Sequence, residues 1–301
     1  MSRSVLVAGS ANLDFVVRAS HVPAPGETVL GRGFACFPGG KGANQAVAAA
    51  RAGGAPVQML LALGQDAPAA TLEASLREAG VQLHVVRDSV QPTGCAFICV
   101  SDSAENAITV APGANNALRG EHLPSLDGVS HLLLQLETPL DTVTAYARRA
   151  RAAGVGVVLN AAPARPLPAE LLDAVDLLVV NESELAAIAG TDDGVEAALA
   201  RVAVPTVIVT LGSRGCLARH EGELLRLEAF RVDAVDTTAA GDTFCGVLVA
   251  ALSRGDGLRP ALRRASAAAA LACTRAGAQA SIPQTHEIDT LLAQVSATIP
   301  A

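Results

Sequence analysis

Tryptophan is absent from this 301-residue chain, and tyrosine occurs once, at Tyr146. With only six Phe besides, aromatic rings on which a nucleoside's base could stack are few. No block of Lys or Arg stands out, and the formal net charge is -7. A nucleic-acid backbone, which is gripped through clustered cations, is therefore not an expected partner. A small anion held locally by backbone N–H groups or a metal remains open. No apolar run reaches about 18 residues without a charge or a glycine break, so no membrane span is expected. The N-terminus "MSRSVLVAGSANLD" has no basic n-region, no long h-region and no A-x-A site, so no signal peptide is read. The six cysteines (Cys36, Cys95, Cys99, Cys216, Cys245 and Cys273) form no C-x-x-C and meet no His at zinc spacing. Most sit in apolar runs as small hydrophobes, and a reducing cytoplasm is the expected compartment.

What the chain does have is apolar residues, 50% of the total, enough for one large core with a small appended part. From about residue 55 onward, short apolar runs alternate with helical patterns. "VQMLLALG", "HLLLQLE", "VGVVLN", "DLLVVN" and "PTVIVTLG" read as strands. They are nearly continuous rather than alternating, as strands buried on both faces are. Between them "DAPAATLEASLREAG", "PLDTVTAYARRARAAG", "PAELLDAV" and "ESELAAIAG" read as helices, the first capped by Asp66 and stopped at Gly80. This repetition predicts an α/β fold with a mostly parallel central sheet flanked by helices. Long helices are expected at 242–254, 258–276 and 285–297. Two segments break the rhythm. Residues 14–37 carry β-formers, Pro and Gly but no helix, and residues 93–110 look like a hairpin turning near 101–105. Together they predict a small sheet covering the ligand edge of the core. No internal repeat or interdomain linker is visible, so residues 1–301 are read as one domain.

Five stretches carry chemistry. "GSANLD" (9–14) follows the first strand but lacks the G-x-G-x-x-G of a dinucleotide site. Asn12 and Asp14 are either turn residues or hydrogen-bonding partners of a polyol, since a carboxylate accepts from two neighbouring hydroxyls. "FPGGKGANQAVAAARAGG" (37–54) is a glycine-rich turn feeding a helix, without the Ser/Thr after Lys that a Walker A loop requires. It is a plain helix start, or it brings Gly39 and Gly40 against a ligand with Asn44 offering its amide; Lys41 is ligand-facing or merely solvated. "NESE" (181–184) sits where a buried strand meets a helix. Asn181 caps well there, and Glu184 one turn on is placed to hold a water of hydrated Mg²⁺. "TLGSRG" (210–215) is a turn, or an offer of Thr210 and the Gly212 backbone to a phosphate. Finally, "DTTAAGDTFCGVLVAAL" (236–252) leaves the N–H groups of Ala239, Ala240 and Gly241 bare at a helix start, a ready anion site. Asp242 reads there as an N-cap, as a catalytic base, or as both.

Together these stretches resemble the ribokinase branch of the PfkB family of sugar kinases. "GGKGANQAVAAARAGG" looks like the family's first signature and "DTTAAGDTFCGVLVA" like its second. "GSANLD", "QLETP", "LNAAPARPLP", "VNESE", "TLGSRG" and "TRAGAQASIP" fall in the expected order, so the resemblance covers about residues 4–295. It implies a ribokinase-like fold whose β lid clasps that of a second copy in a homodimer. It also implies the reaction of ATP with D-ribose to give D-ribose 5-phosphate and ADP. Asp242 would be the base, with Ala239, Ala240 and Gly241 as the anion hole. Asn12, Asp14, Gly40, Lys41, Asn44 and Glu137 would surround the sugar. Asn181, Thr210, Gly212, Ser213 and Gly215 would line the ATP site together with Gly241, and Glu184 would face hydrated Mg²⁺. A potassium ion would be held by oxygens of Asp236, Thr238, Ala272, Arg275, Gly277 and Ser281. Where the branch often sets His or Asn against adenine, this chain has Ser266.

Three alternatives follow. A sister kinase acting on 2-deoxyribose, fructose or a nucleoside would share these motifs, though the nucleoside case sits poorly with so few aromatics. A sugar-binding regulator without chemistry is opposed by the intact "AAGD". A nicotinamide dehydrogenase is opposed by the missing fingerprint.

Overall fold

The computed structural model describes residues 3–297 apart from 104 and 192. In chain order the elements are β1 (Ser4–Ala8), β2 (Asn12–Arg18), β3 (Gly33–Gly39), α1 (Lys41–Val47), β4 (Val57–Leu63), α2 (Ala67–Glu78), β5 (Gln82–Arg87), β6 (Cys95–Val100), β7 (Asn106–Ala111), β8 (Val129–Leu134), α3 (Leu140–Ala152), β9 (Gly156–Asn160), α4 (Ala169–Leu172), β10 (Leu177–Asn181), α5 (Glu182–Ala189), α6 (Val195–Arg201), β11 (Thr206–Thr210), β12 (Cys216–His220), β13 (Glu223–Leu227), α7 (Ala240–Ser253), α8 (Leu258–Cys273) and α9 (Thr285–Ala297).

Among the described residues the main sheet has the order β13-β12-β11-β10-β9-β8-β1-β4-β5. The seven strands from β11 to β5 run parallel, and β12 and β13 close one edge antiparallel. This matches the expected α/β class. The chain leaves β1 towards β4 and β5 on one side, then resumes at β8 on the other. That reversal is a topological switch point, where open α/β sheets leave a crevice beyond the strand carboxyl ends.

Both faces of the sheet are covered, which is why its strands read as continuous apolar runs. Because successive side chains alternate, Val5 and Val7 join the core under α1, α7 and α8, while Leu6 and Ala8 join the core under α3 and α5. Asp66 caps α2 by accepting from the Ala69 N–H at 3.2 Å, and Gly80 follows the helix at φ 82°. The strand β5 and the helix α6 were not anticipated. The helix fed by the glycine turn passes from α1 into a π-turn over Ala48–Ala52 before Gly53 and Gly54, and there Arg51 Nη1 donates to the Gln279 carbonyl at 2.7 Å.

The two segments that break the α/β rhythm form a four-stranded sheet of order β3-β2-β6-β7. Of the expected 101–105 turn, Ala104 lies outside the described residues. The small sheet grows directly from the carboxyl edge of β1, so its first strand carries Asn12 and Asp14. Phe15 stacks on Phe34 and Phe97 with ring centroids 6.2 and 5.4 Å apart. Phe34, Phe97 and Ile108 are all more than half exposed. Among the described residues no helix is long and apolar enough to cross a membrane.

Helix α7 lies against α1 at Gly246. A Cβ there would sit 2.7 Å from the Ala48 methyl and closer still to the Gln45 carbonyl oxygen. Gly246→Ala is expected to force α7 and α1 apart and to destabilise the protein by about 1–3 kcal/mol, the usual cost of overpacking a core. Thermal denaturation measures this; an unchanged midpoint would refute the close approach.

Candidate functional site

The sequence-marked residues converge at the switch-point crevice. Asn12 and Asp14 follow β1, Glu137 follows β8, Asn181 ends β10, and Thr210 ends β11. Lys41 and Asn44 begin α1 after Gly40. Gly40 takes φ 89°, and a Cβ there would lie 2.7 Å from the Asn12 N, so only glycine lets the turn press against β2.

Asp242 lies at the centre and is buried. One carboxylate oxygen accepts from Asn44 Nδ2 at 3.0 Å, the other from Gln45 Nε2 at 2.9 Å. Its reading as an N-cap is corrected here. The cap position belongs to Ala239 at φ 57° and makes no side-chain cap bond. Asp242 is the third residue of the helix, and its carboxylate turns toward α1. The expected row of three bare N–H groups is also modified, since the Ala240 N–H donates to the Thr237 carbonyl at 3.2 Å. Ala239 and Gly241 have no such bond among the described residues. Ala239, Gly241 and Asp242 line a cavity of about 230 Å³ together with Lys41, Asn181 and Glu184.

The sugar-side residues split into tied and untied groups. Asn12 Oδ1 accepts from Asn115 Nδ2 at 2.8 Å. Glu137 Oε2 accepts from Ser10 Oγ at 2.6 Å and from the Lys41 N–H at 3.2 Å. Asn44 Oδ1 is buried with no hydrogen-bond partner, and the Asp14 carboxylate makes no bond among the described residues. Burial, then the charges of Glu137 and Asp242, push the Asp14 carboxyl up to about 7. Burial pulls the Lys41 ammonium down, but Asp242, Glu137 and Glu184 outweigh it and leave its pKa raised. Lysine occurs once among the 22 basic residues of the sequence, at this position. Arginine serves everywhere else, whereas here a compact ammonium is kept. That count was the available sign that Lys41 is no mere solvated charge.

Asn181 and Glu184 form a capping box. Asn181 Oδ1 accepts from the Glu184 N–H, and a Glu184 carboxylate oxygen accepts from the Asn181 N–H, both at 2.8 Å. Burial raises the Glu184 carboxyl pKa, opposed by that N–H bond and by Lys41. A second cavity of about 450 Å³ is lined by Thr210, Gly212, Ser213, Gly215, Gly241 and Ser266. It shares Thr210, Thr237 and Gly241 with the smaller one, so one cleft runs from Asp242 to Ser266. A shallow depression of about 470 Å³ on the α2 face stands apart, and its Glu73 is consumed by ion pairs with Arg77 and Arg87.

Of the potassium set, Asp236 accepts from the Thr238 N–H and the Gly277 N–H, each at 2.9 Å. Burial alone would raise its pKa, but bonds from Thr238 and the Gly277 N–H lower it and keep it ionised. The Ala272 carbonyl already accepts from the Arg275 N–H at 3.2 Å, the Arg275 side chain pairs with Glu287, and the Ser281 hydroxyl donates to the Ala278 carbonyl at 2.8 Å. Among the described residues no group of three or more His, Cys, Asp or Glu forms a metal cluster. Any cation here would rest on a carboxylate with carbonyl and hydroxyl oxygens, a donor class that suits hard ions.

The reading of the sequence missed a buried polar layer behind the site. Gln45 Nε2 also donates to Asn160 Oδ1 at 2.9 Å, and Gln135 Nε2 donates to Gln45 Oε1 at 2.7 Å. Asn115 holds the Ala11 N–H at 3.0 Å as well as Asn12. A glutamine inside the apolar run "ANQAVAAA" was the one visible sign.

The raised Asp14 pKa has a stability consequence. The folded state keeps that proton to about pH 7, whereas the unfolded chain loses it near 3.8. Stability therefore falls as pH rises between those values. Asp14→Asn is expected to flatten this slope and to exceed the parent in stability above pH 7. Parallel melting-temperature profiles for the two proteins would refute it.

The sequence matches the pfkB family carbohydrate kinases over residues 2–285. It is 39% identical to the ribokinase of Haemophilus influenzae over 95% of this chain and 97% of that protein. Its fold superimposes on a ribokinase from Thermotoga maritima with a TM-score of 0.91 at 37% identity, covering 97% of this chain and 99% of that one. An Arabidopsis thaliana ribokinase complexed with ribose and ATP gives a TM-score of 0.89 at 32% identity, with 97% and 99% covered. A glycine-turned α1, a carboxylate at the head of α7 and a cleft leading away from it are thus set in a scaffold shared along nearly its whole length, and the chain belongs to the pfkB family of carbohydrate kinases.

Proposed function

We propose that this protein transfers the γ-phosphoryl group of ATP to O5 of D-ribose, giving D-ribose 5-phosphate and ADP. The observation that carries the reading is the clamped Asp242 carboxylate at one end of a continuous cleft. Unsatisfied polar groups suited to a polyol lie on one side of it and a phosphate-sized turn on the other. The similarity to ribokinases, one of them complexed with ribose and ATP, supports the same substrates.

In this reading Asp14 and Asn44 accept from sugar hydroxyls, while Asn12 and Glu137 complete the polyol site beside Gly40. Asp242 orients the 5-hydroxyl and takes its proton as O5 bonds to the γ-phosphorus and the bond to the ADP oxygen breaks. The transition state is loose, so positioning and charge stabilisation dominate. The Ala239–Gly241 turn and Lys41 supply positive potential where charge gathers on the transferring group. Thr210, Gly212, Ser213 and Gly215 hold the nucleotide, with Asn181 at its phosphate end.

Glu184 would hold a hydrated Mg²⁺, and Asp236 with the carbonyls near Gly277 would hold K⁺; both ions supply charge neutralisation at the phosphates or at the loop beneath them. The small sheet acts as a lid over the sugar. Its exposed Phe34, Phe97 and Ile108 support a homodimer through that face. The six free thiols suit a cytoplasmic location.

ADP release measured over ribose, 2-deoxyribose, fructose and adenosine, with potassium and with a large organic cation, tests the reading. Turnover is expected to be greatest with ribose and to rise with potassium. Preferred turnover of another sugar would replace the substrate, and ribose binding without ADP release would point to a regulator. Asp242→Asn is expected to lower kcat by about 10²–10⁴, the usual worth of general base catalysis, while ribose still binds by calorimetry. Unchanged kcat would remove Asp242 from its role.

A further inference from the structure

The cleft changes character along its length. Where it meets the Asp242 cavity its walls carry Thr210, Thr237 and the Gly241 backbone. Toward its far end the walls are Phe230, Val232, Ala234, Ala269 and Cys273, with Ser266 among them. The other polar side chains on its lining, Ser213 and Arg231, are solvent-exposed. Ser266 is half-buried on α8, and a serine hydroxyl both donates and accepts. It can therefore meet an amino or a carbonyl edge of a base without favouring either.

We infer that this far end holds a nucleobase by its faces without reading its edges through side chains, so that the protein accepts purine and pyrimidine nucleoside triphosphates alike. The inference rests on the nucleotide occupying this cleft, as the proposed reaction requires. The physical reason is an asymmetry in how sites discriminate. A pocket that hydrogen-bonds a ligand group rejects an analogue lacking it by about 10⁴–10⁵, because its own buried polar atoms are left unpaired. An apolar pocket has no such atoms to orphan, and it separates ligands only by the area they bury, a factor of about 10–200 per missing or added group. Adenine and guanine offer opposite donor and acceptor patterns at the same ring positions. Walls of Phe, Val and Ala respond to neither pattern. The triphosphate, common to all donors, meets the polar end of the cleft and dominates selection.

The test is kcat/KM for ribose phosphorylation with ATP, GTP, CTP and UTP as donors, together with calorimetric affinities for ADP, GDP, CDP and UDP. The four donors are expected to fall within about 100-fold of one another, and the four diphosphates likewise. A preference for ATP beyond about 100-fold, matched by selective ADP binding, would overturn the inference. If no donor supports turnover, it is the proposed reaction that fails. The diphosphate affinities still decide this inference: similar values uphold it, and binding of ADP alone, or of none, overturns it.

Discussion

The Asp242 carboxylate accepts one hydrogen bond on each oxygen, and both donors come from adjacent residues of α1. Much of the site follows from that clamp. Asn44 and Gln45 supply it across the packed α1–α7 pair, and Gly246 lets the two helices approach by presenting no side chain to Gln45 and Ala48. Gln45 is in turn tied to Asn160 at the end of β9 and to Gln135 beyond β8. The carboxylate is thus referenced to the central sheet through a chain of buried amides. Networks of this kind specify one arrangement, because each unmade bond would leave a polar atom stranded in a low-dielectric interior.

Charge gathers around this point in an uneven ratio. Asp14, Glu137, Glu184 and Asp242 stand near a single ammonium, that of Lys41. Burial and then this excess raise the Asp14 carboxyl, and the excess keeps Lys41 charged despite its burial. Such a cluster is costly in an empty site and is relieved by ligand hydroxyls and cations. The turn ahead of α7 supplies the complementary sign through backbone N–H groups rather than side chains, so its positive potential needs no desolvated cation.

The sheet's switch point decides where all of this happens. On the β8 side of β1, the strands β9, β10 and β11 end in Asn160, Asn181 and Thr210, and their carboxyl ends open into the same crevice. The small sheet starts from the last residues of that edge. Asn12 and Asp14 therefore belong both to the candidate site and to the small sheet, and any movement of β2 relative to β1 must move them.

The chain by itself determined the alternation of buried strands and helices, the glycine turn before α1, the capping of α2 and α5, and the small sheet. These follow from residues near one another in sequence: apolar runs, a cap three residues before the N–H it receives, a positive φ at glycine. Lys41 was visible too, as a lone lysine among arginines, but only a count of the whole chain exposes it. Tertiary structure alone decided what Asp242 touches, since its partners lie 198 and 197 residues away. A local reading left cap and base both open, because Gly-Asp before an apolar run is often a cap and the competing amides lie far off in the chain. The same distance hid Asn115 and Gln135, whose partners lie 104 and 90 residues off. Buried polar atoms are satisfied wherever the fold brings a mate, and sequence proximity does not enter that requirement.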